Sequence, residues 1–304
     1  MNKPKIYIDG QAGTTGLEIY QRLSGRDDIE IIIIDPEKRK DNDERKKCMN
    51  QADLVFLCLP DAAAIEAVTL IENAQTKVID ASTAHRTNEN WAYGMSELDS
   101  SFKEEIQTNR FVANPGCHAT GFIMSVYPLV QKGILNKEDV ISSFSLTGYS
   151  GGGKKMIQQY EMEKTIDLEA PRIYGLTQMH KHLPEMKKVC GLEKEPIFNP
   201  VVSDYYRGMA TTIPVVGHTK EEIYDILSNW YKDCPLISVS IQDEGMISAN
   251  TKAGLDSLEL VVTGNASRVC VTALFDNLGK GACGAAIQNM NLMLGFEQTK
   301  GLKL

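Results

Sequence analysis

The sequence predicts a two-domain α/β protein, with a parallel sheet in the first domain and a mixed sheet in the second. Short apolar runs alternate with helix-like segments through residue 116, and a glycine-rich turn follows the first run. After residue 117 this regular alternation ends, and strand-like runs with alternating polarity take its place. At 304 residues the chain is long enough for two domains, each with its own core.

Composition and charge exclude several classes of protein. Asp and Glu number 40 against 32 Lys and Arg, a net charge of −8, so a nucleic-acid partner is not expected. The seven cysteines are scattered and contain no C-x-x-C pair, which argues against a disulfide framework and against structural zinc. No apolar signal core and no membrane-length apolar run occurs. We therefore expect a cytoplasmic protein without a membrane partner.

The first strand and the turn after it predict a dinucleotide site. A buried-strand pattern over Lys5–Asp9 is followed by three glycines and then by the helix-like run Leu17–Leu23. Such a turn lets the backbone approach a pyrophosphate at a helix N-terminus. The spacing Gly-x-x-Gly-x-x-Gly differs from the usual G-x-G-x-x-G, so a glycine turn without a ligand is the alternative. The predicted cofactor contacts here are Gly10, Gly13, Thr14, Thr15 and Gly16.

The end of the second strand bears on which dinucleotide binds. The apolar run Ile31–Ile34 ends at Asp35, and an acid at that position binds the ribose hydroxyls of NAD. Lys38, Arg39 and Lys40 follow, and their positive charge favours the 2′-phosphate of NADP, although a solvated loop also explains them. We predict NADP(H), with Asp35, Lys38 and Arg39 among its contacts.

Two further α/β units continue the first domain. Strands are predicted over Leu54–Leu59 and Lys77–Asp80, with a helix over Ile65–Glu72 between them. A polar loop containing Ser82 and Arg86 follows the second strand, at the sheet edge where open parallel sheets present ligand-binding groups. Arg86 is a candidate anion clamp, and a surface arginine is the alternative.

Cys117 is the candidate nucleophile. The strand-like Arg110–Ala113 leads through Pro115-Gly116 into a helix predicted over Ala119–Val130, which places Cys117 at the N-terminus of that helix. Free backbone N–H groups and the helix dipole favour a thiolate there and can hold an oxyanion. The alternative is a cysteine that serves as a small buried hydrophobic residue.

The second domain adds groups that suit anion binding and proton transfer. A glycine-rich segment, Gly148–Gly153, precedes Lys154 and offers backbone N–H groups to an anion, although glycine-rich linkers are common. It is not a phosphate-binding P-loop, because Lys155 occupies the required Ser or Thr position. His180 and His182 with Glu185 suit general acid/base chemistry; a structural pair is the alternative, and zinc lacks further ligands.

The remaining pattern predicts a mixed sheet and a terminal helix that folds back onto the first domain. The domain ranges are 1–116 with 285–304 and 117–284. We expect the sheet to provide an oligomer contact. The predicted elements are strands Ile141–Thr147, Phe198–Val202, Gly208–Val215 and Leu236–Ser240, helices Lys220–Tyr231 and Gly284–Leu294, and a hairpin of Ser257–Val262 with Ser267–Phe275 around Gly264-Asn265.

Four motifs in order give the chain a family resemblance. They are Asn114-Pro115-Gly116-Cys117, Gly148-x-Ser150-Gly151-x-Gly153-Lys154, His180-x-His182-x-Pro184-Glu185 and Asp276-Asn277-Leu278-x-Lys280-Gly281-Ala282. Together they resemble the N-acetyl-γ-glutamyl-phosphate reductase family, in its compact second type, over nearly the whole length. One departure is His85, in the polar loop, where the family pattern suggests an aromatic residue.

The resemblance implies a reaction and an architecture. The reaction is NADPH-dependent reduction of N-acetyl-γ-glutamyl phosphate to N-acetylglutamate 5-semialdehyde and phosphate, through a cysteine thioester, in cytoplasmic arginine biosynthesis. The architecture is a Rossmann-type NADP-binding domain and a second α/β domain like those of the semialdehyde and glyceraldehyde-phosphate dehydrogenases. A homo-oligomer, dimer or tetramer, is also implied.

The resemblance also implies roles for site residues. Cys117 is the nucleophile, and His180 has the direct acid/base role with His182 and Glu185 in support. No metal is expected. Further expected contacts are Ser82, Arg86, Asn114 and Lys154 for the substrate, and Ser150, Gly151 and Asn277 for the cofactor. Two alternatives stay open: another acyl-phosphate reductase such as an aspartate-semialdehyde dehydrogenase, and a catalytically silent NADP-binding regulator.

Overall fold

The computed structural model describes residues 3–304, which divide into two compact units. The first runs up to Pro115 and resumes over Ala285–Leu302; the second comprises Gly116–Gly284 with Lys303–Leu304. The first division falls one residue earlier than the predicted boundary. The last two residues join the second unit because Lys303 exchanges backbone and side-chain hydrogen bonds with Asp256, at 2.6 and 2.8 Å.

The first unit contains a six-stranded sheet whose neighbouring strands are all parallel, in the order β2-β1-β3-β4-β6-β5. Because β2 and β3 lie on opposite sides of β1, the strand order reverses at β1 and opens a crevice at its carboxyl end. This is the predicted Rossmann-type arrangement. The strands are β1 Lys5–Asp9, β2 Glu30–Ile32, β3 Leu54–Leu57, β4 Lys77–Asp80, β5 Ala92–Tyr93 and β6 Phe111–Ala113.

Four helices connect these strands: α1 Thr14–Leu23, α2 Asn42–Gln51, α3 Asp61–Thr69 and α4 Ser100–Thr108. Helix α3 begins earlier than predicted, because Pro60 takes the N-cap position and presets the backbone there. Sequence reasoning missed α2, whose residues are almost all polar. The Asp41 side chain starts that helix by accepting hydrogen bonds from the backbone N–H groups of Asp43 and Glu44.

The second unit contains a seven-stranded mixed sheet in the order β11-β12-β13-β10-β7-β9-β8. Pairs β7/β9 and β11/β12 are parallel and the other pairs antiparallel, which confirms the predicted mixed sheet and the hairpin of β12 with β13. The strands are β7 Ser142–Gly148, β8 Arg172–Ile173, β9 Ile197–Ser203, β10 Met209–Val216, β11 Ile237–Ile241, β12 Leu258–Gly264 and β13 Arg268–Phe275.

Helix α5, Cys117–Gln131, is the buried centre of the second unit. It packs against β10, β13 and two further helices, α7 Leu183–Cys190 and α8 Lys220–Tyr231. Close packing on β10 requires a glycine at 121, because an added Cβ would lie 2.6 Å from Thr211 Oγ1. The remaining helices are α6 Gly153–Met162 and α9 Gly284–Met293.

Helix α9 packs with the first unit from Ala285 onwards. The Asn289 Nδ2 amide donates to the Gly94 carbonyl at 3.0 Å, and Gln288 donates to Glu97 at 2.8 Å. Within residues 3–304 no helix has the length and apolar character needed to cross a bilayer.

Candidate active site

Cys117 is the first residue of α5, as predicted. It is half-buried, whereas every residue from His118 to Leu129 behind it is buried. The N-cap residue, Gly116, has no side chain to cap the first-turn N–H groups. Cys117 therefore lies at the positive end of a buried helix dipole, where no N-cap side chain covers the first-turn amides.

The backbone of the 279–283 segment approaches Cys117 closely. This segment forms a π-helical turn, and an added Cβ at Gly281 would lie 3.0 Å from the Cys117 Cβ. Only a glycine keeps the turn against the cysteine without displacing one of them. The Asp276–Ala282 motif thus contributes to the packing around Cys117.

Two histidines and a glutamate lie with Cys117 in the second unit. The His180 and His182 rings are 4.7 Å apart between centroids, and His180 Nδ1 accepts a hydrogen bond from the His182 backbone N–H at 3.2 Å. Glu185, on α7, is buried and accepts from the Gly116 backbone N–H at 3.2 Å. The structure therefore brings together the four residues predicted to be catalytic.

A third histidine completes this cluster. His118 is buried, and its ring centroid lies 5.7 Å from that of His180 and 5.9 Å from that of His182. Its Nε2 is 2.6 Å from the Tyr174 hydroxyl, and its Nδ1 is 2.7 Å from Ser145 Oγ. Burial, aided by the nearby His180, lowers the pKa of His118 to about 3, so the ring is neutral at physiological pH.

Ser150 and Asn277, both predicted cofactor contacts, are buried and bonded to each other. The Asn277 amide donates to Ser150 Oγ at 2.8 Å, and its carbonyl oxygen accepts from the Gly208 backbone N–H at 2.9 Å. Gly151 and Lys154 are exposed. The glycine-rich segment is not a linker, because it forms a short 3₁₀ turn and then the start of α6.

The first unit contains the predicted strand, glycine turn and helix. Gly10 has a φ of +82°, and an added Cβ would lie 2.3 Å from the Cys58 carbonyl oxygen. At Gly16 an added Cβ would lie 2.5 Å from the Gly10 carbonyl oxygen. Gly13 is the N-cap of α1, where no side chain caps the first N–H groups. This bare backbone cradle fits a pyrophosphate.

A cavity of about 760 Å³ adjoins the glycine turn. Gly10, Leu59, Arg39 and Lys40 are among its lining residues, so backbone, apolar and basic groups face one space. Asp35 and Lys38 do not line it. Asp35 accepts from the Glu37 backbone N–H at 3.0 Å, and Lys38 lies 4.0 Å from a Glu44 carboxylate oxygen.

The polar loop after β4 is internally bonded. Asp80 Oδ2 lies 2.7 Å from Ser82 Oγ and 2.6 Å from His85 Nδ1, and the His85 ring stacks on Trp91 with centroids 4.0 Å apart. His85 thus takes the place of the expected aromatic ring. Its carboxylate partner fixes the ring orientation.

Arg86 is not a surface arginine, because only 8% of it is exposed. Its Nε donates to the Asn114 carbonyl oxygen at 2.9 Å and its Nη2 to the Ala81 carbonyl oxygen at 3.1 Å. The Asn114 side chain accepts in turn from Asn289 at 3.1 Å. Two of the predicted substrate contacts, Arg86 and Asn114, therefore lie together in the first unit.

Comparison with known proteins decides the family. Residues 35–107 match the model of a semialdehyde dehydrogenase NAD binding domain, and residues 117–277 match that of a semialdehyde dehydrogenase dimerisation domain. The N-acetyl-gamma-glutamyl-phosphate reductase 2 of Nostoc sp. is 44% identical, with 99% of this chain and 100% of that protein covered. The chain belongs to the N-acetyl-γ-glutamyl-phosphate reductase family. Reductases of that name from Sinorhizobium medicae (43%, covering 96% and 99%) and Pseudomonas putida (40%, covering 99% and 100%) agree.

Solved structures agree with the fold of this N-acetyl-γ-glutamyl-phosphate reductase family member. Aspartate semialdehyde dehydrogenase II from Vibrio cholerae superposes with a TM-score of 0.76 at 15% identity, covering 97% of this chain and 99% of that one. The enzyme from Candida albicans, solved with NADP, gives 0.69 at 14% identity, covering 96% and 99%. The predicted family, fold class, enzyme class and nicotinamide dinucleotide domain are confirmed.

Sequence reasoning missed Tyr174, Ser145 and Thr211 near the reductase site and gave no role to His118. His118 had a signal, since it directly follows the Asn114–Cys117 motif. Tyr174 follows a two-residue strand, and Ser145 and Thr211 lie inside strands where a small polar residue has no distinctive spacing. No local pattern marks these three residues.

Proposed function

We propose that this chain reduces N-acetyl-γ-glutamyl phosphate with NADPH, giving N-acetylglutamate 5-semialdehyde and phosphate as a cytoplasmic step of arginine biosynthesis. The observation that carries the proposal is the half-buried Cys117 at the start of the buried helix α5, grouped with His180, His182 and Glu185. A thiol in this setting suits covalent catalysis on an activated acyl group. The names of the relatives support the substrate.

The first chemical step is acyl transfer to Cys117. The thiolate sulfur attacks the acyl carbonyl carbon, a C–S bond forms, and the C–O bond to the phosphoryl group breaks with phosphate as the leaving group. A thioester remains. The N–H groups of the first turn of α5 are suited to hold the negative oxygen of the tetrahedral intermediate, because they lie beside the sulfur without a side-chain cap.

The second step reduces the thioester. Bound NADPH supplies the hydride. The same first-turn N–H groups hold the resulting alkoxide, whose collapse releases the aldehyde and returns Cys117 as the thiolate. His180 is assigned the direct contact with the reacting oxygen: its Nδ1 accepts from the His182 N–H, so the neutral ring carries its hydrogen on Nε2. His182 and Glu185 support it.

Three sets of residues are assigned to NADP(H). The glycine turn, Gly10, Gly13, Thr14, Thr15 and Gly16, holds the pyrophosphate. Asp35, Lys38 and Arg39 read the adenosine ribose and its 2′-phosphate; Arg39 and Lys40 both line the adjoining cavity. Ser150, Gly151 and Asn277 are the third set of residues assigned to NADP(H). Tighter binding of NADPH than of NADH is expected in a direct comparison of dissociation constants, and tighter NADH binding would contradict it.

Ser82, Arg86, Asn114 and Lys154 are assigned to the substrate. Its carboxylate and its phosphoryl group are both anionic, which suits the guanidinium of Arg86 and the ammonium of Lys154. Asp80 holds the Ser82 hydroxyl. That bond fixes the loop that carries Arg86.

We also propose that the active protein is a homo-oligomer, with no nucleic-acid or membrane partner. Residues 117–277 match a dimerisation domain. One face of the mixed sheet leaves the apolar side chains of Phe144, Ile173 and Ile197 46%, 60% and 50% exposed. A second copy packing on this face would remove them from water.

The deciding experiment runs the reaction backwards. Purified protein is given NADP⁺, phosphate and N-acetylglutamate semialdehyde, or aspartate semialdehyde in its place, and NADPH formation is followed. Activity with the acetylated aldehyde alone is expected. It should be lost in Cys117→Ser and kept in Cys234→Ser, a matched change at another half-buried cysteine of the same unit. Activity with aspartate semialdehyde alone would identify that aldehyde as the substrate. No activity with either aldehyde would favour a catalytically silent NADP-binding protein.

A further inference from the structure

Four polar residues that the proposed reaction does not use line the cavity beside the glycine turn. Asp9 is the last residue of β1, Asn42 and Arg45 lie in the first turn of α2, and Glu66 lies in α3. Asp9 and Arg45 are buried, with 3% and 8% of their surface exposed, whereas Asn42 and Glu66 are exposed. All four belong to the first unit, and they bond to one another.

Arg45 is the centre of this network. Its Nη2 donates to Asp9 Oδ2 at 2.7 Å, and its Nε lies 3.3 Å from each carboxylate oxygen of Asp9. Its Nη1 donates to Asn42 Oδ1 at 2.6 Å, and the Asn42 amide donates to Glu66 Oε1 at 2.9 Å. The network therefore joins the first turn of α2 to β1 on one side and to α3 on the other.

The bonds between Asp9 and Arg45 fix the start of α2 relative to the glycine turn. A buried carboxylate is unfavourable unless a cation pairs with it, so Asp9 requires the guanidinium of Arg45. All three nitrogens of that guanidinium donate within the network, and its rigid plane lets these bonds set its position. Asp9 directly precedes Gly10, the first residue of the glycine turn.

The basic residues of the cavity lie immediately before this anchored turn. Arg39 and Lys40 line the cavity and precede Asp41, the N-cap of α2. The Asp41 backbone N–H donates to the Lys38 carbonyl at 2.8 Å, and the Arg45 backbone N–H donates to the Asp41 carbonyl at 3.0 Å. Hydrogen bonds thus connect the segment that carries the two cations to the helix turn that Arg45 holds.

We propose that Asp9, Arg45 and Asn42 are positioning residues that hold Arg39 and Lys40 against the cofactor cavity and thereby set the preference for NADPH over NADH. The inference rests on the proposed function, because it uses the assignment of Arg39 to the 2′-phosphate. The positioning residues act through the two cations. Loss of the anchor therefore weakens binding of the dinucleotide that carries the 2′-phosphate more than binding of the one that lacks it.

The deciding variant is Asp9→Asn, which keeps the size of the side chain but removes the charge that pairs with Arg45. Nicotinamide fluorescence of the purified protein, without substrate, gives the dissociation constants for NADPH and for NADH. The constant for NADPH should rise by roughly tenfold, the effect of losing one hydrogen bond to a charged group, and that for NADH by less than about twofold.

The other possible roles of the network give different results in Asp9→Asn. If Arg45 itself bound the 2′-phosphate, removal of the carboxylate would release its guanidinium and lower the constant for NADPH. If the network contacted the adenosine that both dinucleotides share, the two constants would rise by the same factor. Either result would overturn the proposal, and so would two unchanged constants.

Asp28→Asn is the matched control, because it breaks another Asp–Arg pair of the first unit. Arg26 Nη2 and Nε donate to the two carboxylate oxygens of Asp28 at 2.6 and 2.9 Å, and neither residue lines the cavity. Both dissociation constants should keep their wild-type values in this variant. A rise confined to NADPH in Asp28→Asn would show that the selectivity responds to any lost ion pair, which would overturn the proposal.

Should Asp9→Asn fail to fold, Asn42→Ala takes its place, since Asn42 is exposed and its loss cuts the bonds to Arg45 and Glu66. The constant for NADPH should again rise more than that for NADH, and an unchanged ratio would then overturn the proposal. A wild-type protein that binds NADH more tightly would contradict the NADP(H) assignment and the inference with it. Failure of the reductase assay alone, with the expected binding results, would remove only the proposed reaction.

Discussion

His180 and His182 are close in space but differ in environment. His182 is 6% exposed at the N-cap of α7, whereas His180 is less buried and its Nδ1 accepts the His182 N–H. The ring of His180 is therefore held in place through its Nδ1. This difference favours His180 for contact with the reacting oxygen.

Separate His180→Asn and His182→Asn variants test the assignment. We expect the larger loss of kcat in His180→Asn, of roughly 10²- to 10⁴-fold, the range for removing a group that acts in proton transfer. Steady-state kinetics with saturating substrate measures kcat. The Cys117→Ser variant gives the residual rate without the thiol. A larger loss of kcat in His182→Asn would reverse the two roles.

His118 also predicts how stability depends on pH. Its folded-state pKa of about 3 lies below the value of about 6.5 for an unfolded chain, so the folded state binds fewer protons between those values. The stabilisation is fully present above about pH 6.5 and is lost as pH falls towards 3. The slope due to this one proton is about 1.4 kcal/mol per pH unit.

We therefore expect the free energy of unfolding of His118→Gln at neutral pH to be lower than that of the wild-type protein. On acidification it should decrease less than that of the wild-type protein. Urea denaturation at several pH values from 4 to 8 measures the free energy of unfolding of both proteins. Parallel curves for the two proteins would show that His118 does not carry this dependence.

Among the elements, the π-helical turn Gly279–Cys283 approaches Cys117 closely at Gly281. An alanine at position 281 would place its methyl group 3.0 Å from the Cys117 Cβ, 3.1 Å from the Asp276 carbonyl oxygen and 3.2 Å from the Phe275 ring. All three neighbours lie in packed backbone or core, so the contact is relieved by small shifts of the turn or of Cys117.

For Gly281→Ala we expect kcat/KM to fall by roughly tenfold, because a displaced nucleophile attacks from poorer geometry. The free energy of unfolding should fall by about 1–3 kcal/mol from overpacking. Steady-state kinetics and urea denaturation measure the two effects. Gly25→Ala is the matched control, since its added Cβ meets nothing within 4 Å. Unchanged kinetics in Gly281→Ala would mean that the turn adapts without moving Cys117.

At the scale of the whole molecule, the two faces of β7 have different surroundings. Ser145 points towards α5 and bonds His118, while its neighbour Phe144 lies on the opposite, exposed face of the sheet. A subunit contact on that face would thus be one residue from the Ser145 side chain that bonds His118.

Phe144→Asp should dissociate the oligomer, because a buried carboxylate at a subunit contact is strongly unfavourable. Sedimentation equilibrium measures the mass in solution. Ile65→Asp, which places the same charge on a 53% exposed apolar residue of α3, should leave the mass unchanged. An unchanged mass in Phe144→Asp would place the contact elsewhere.

Much of the fold was predictable, because its signals are local. The strand Lys5–Asp9, the helix Lys220–Tyr231 and the hairpin at Gly264 each follow from periodicity or turn chemistry within a few residues. Helix α2 was missed because a polar helix held by its Asp41 cap has no apolar stripe. The end of β2 at Ile32 instead of Ile34 depends on its pairing with only three residues of β1.

The sequence by itself determined that Cys117 lies at a helix N-terminus and that a glycine turn follows the first strand, because each depends on neighbouring residues. Only the tertiary structure decided which groups surround Cys117. Tyr174 reaches His118 across 56 residues of chain, Ser145 across 27, and Thr211 reaches Ser145 across 66. Hydrogen bonds over such separations leave no local pattern, since the intervening strands and helices set their geometry.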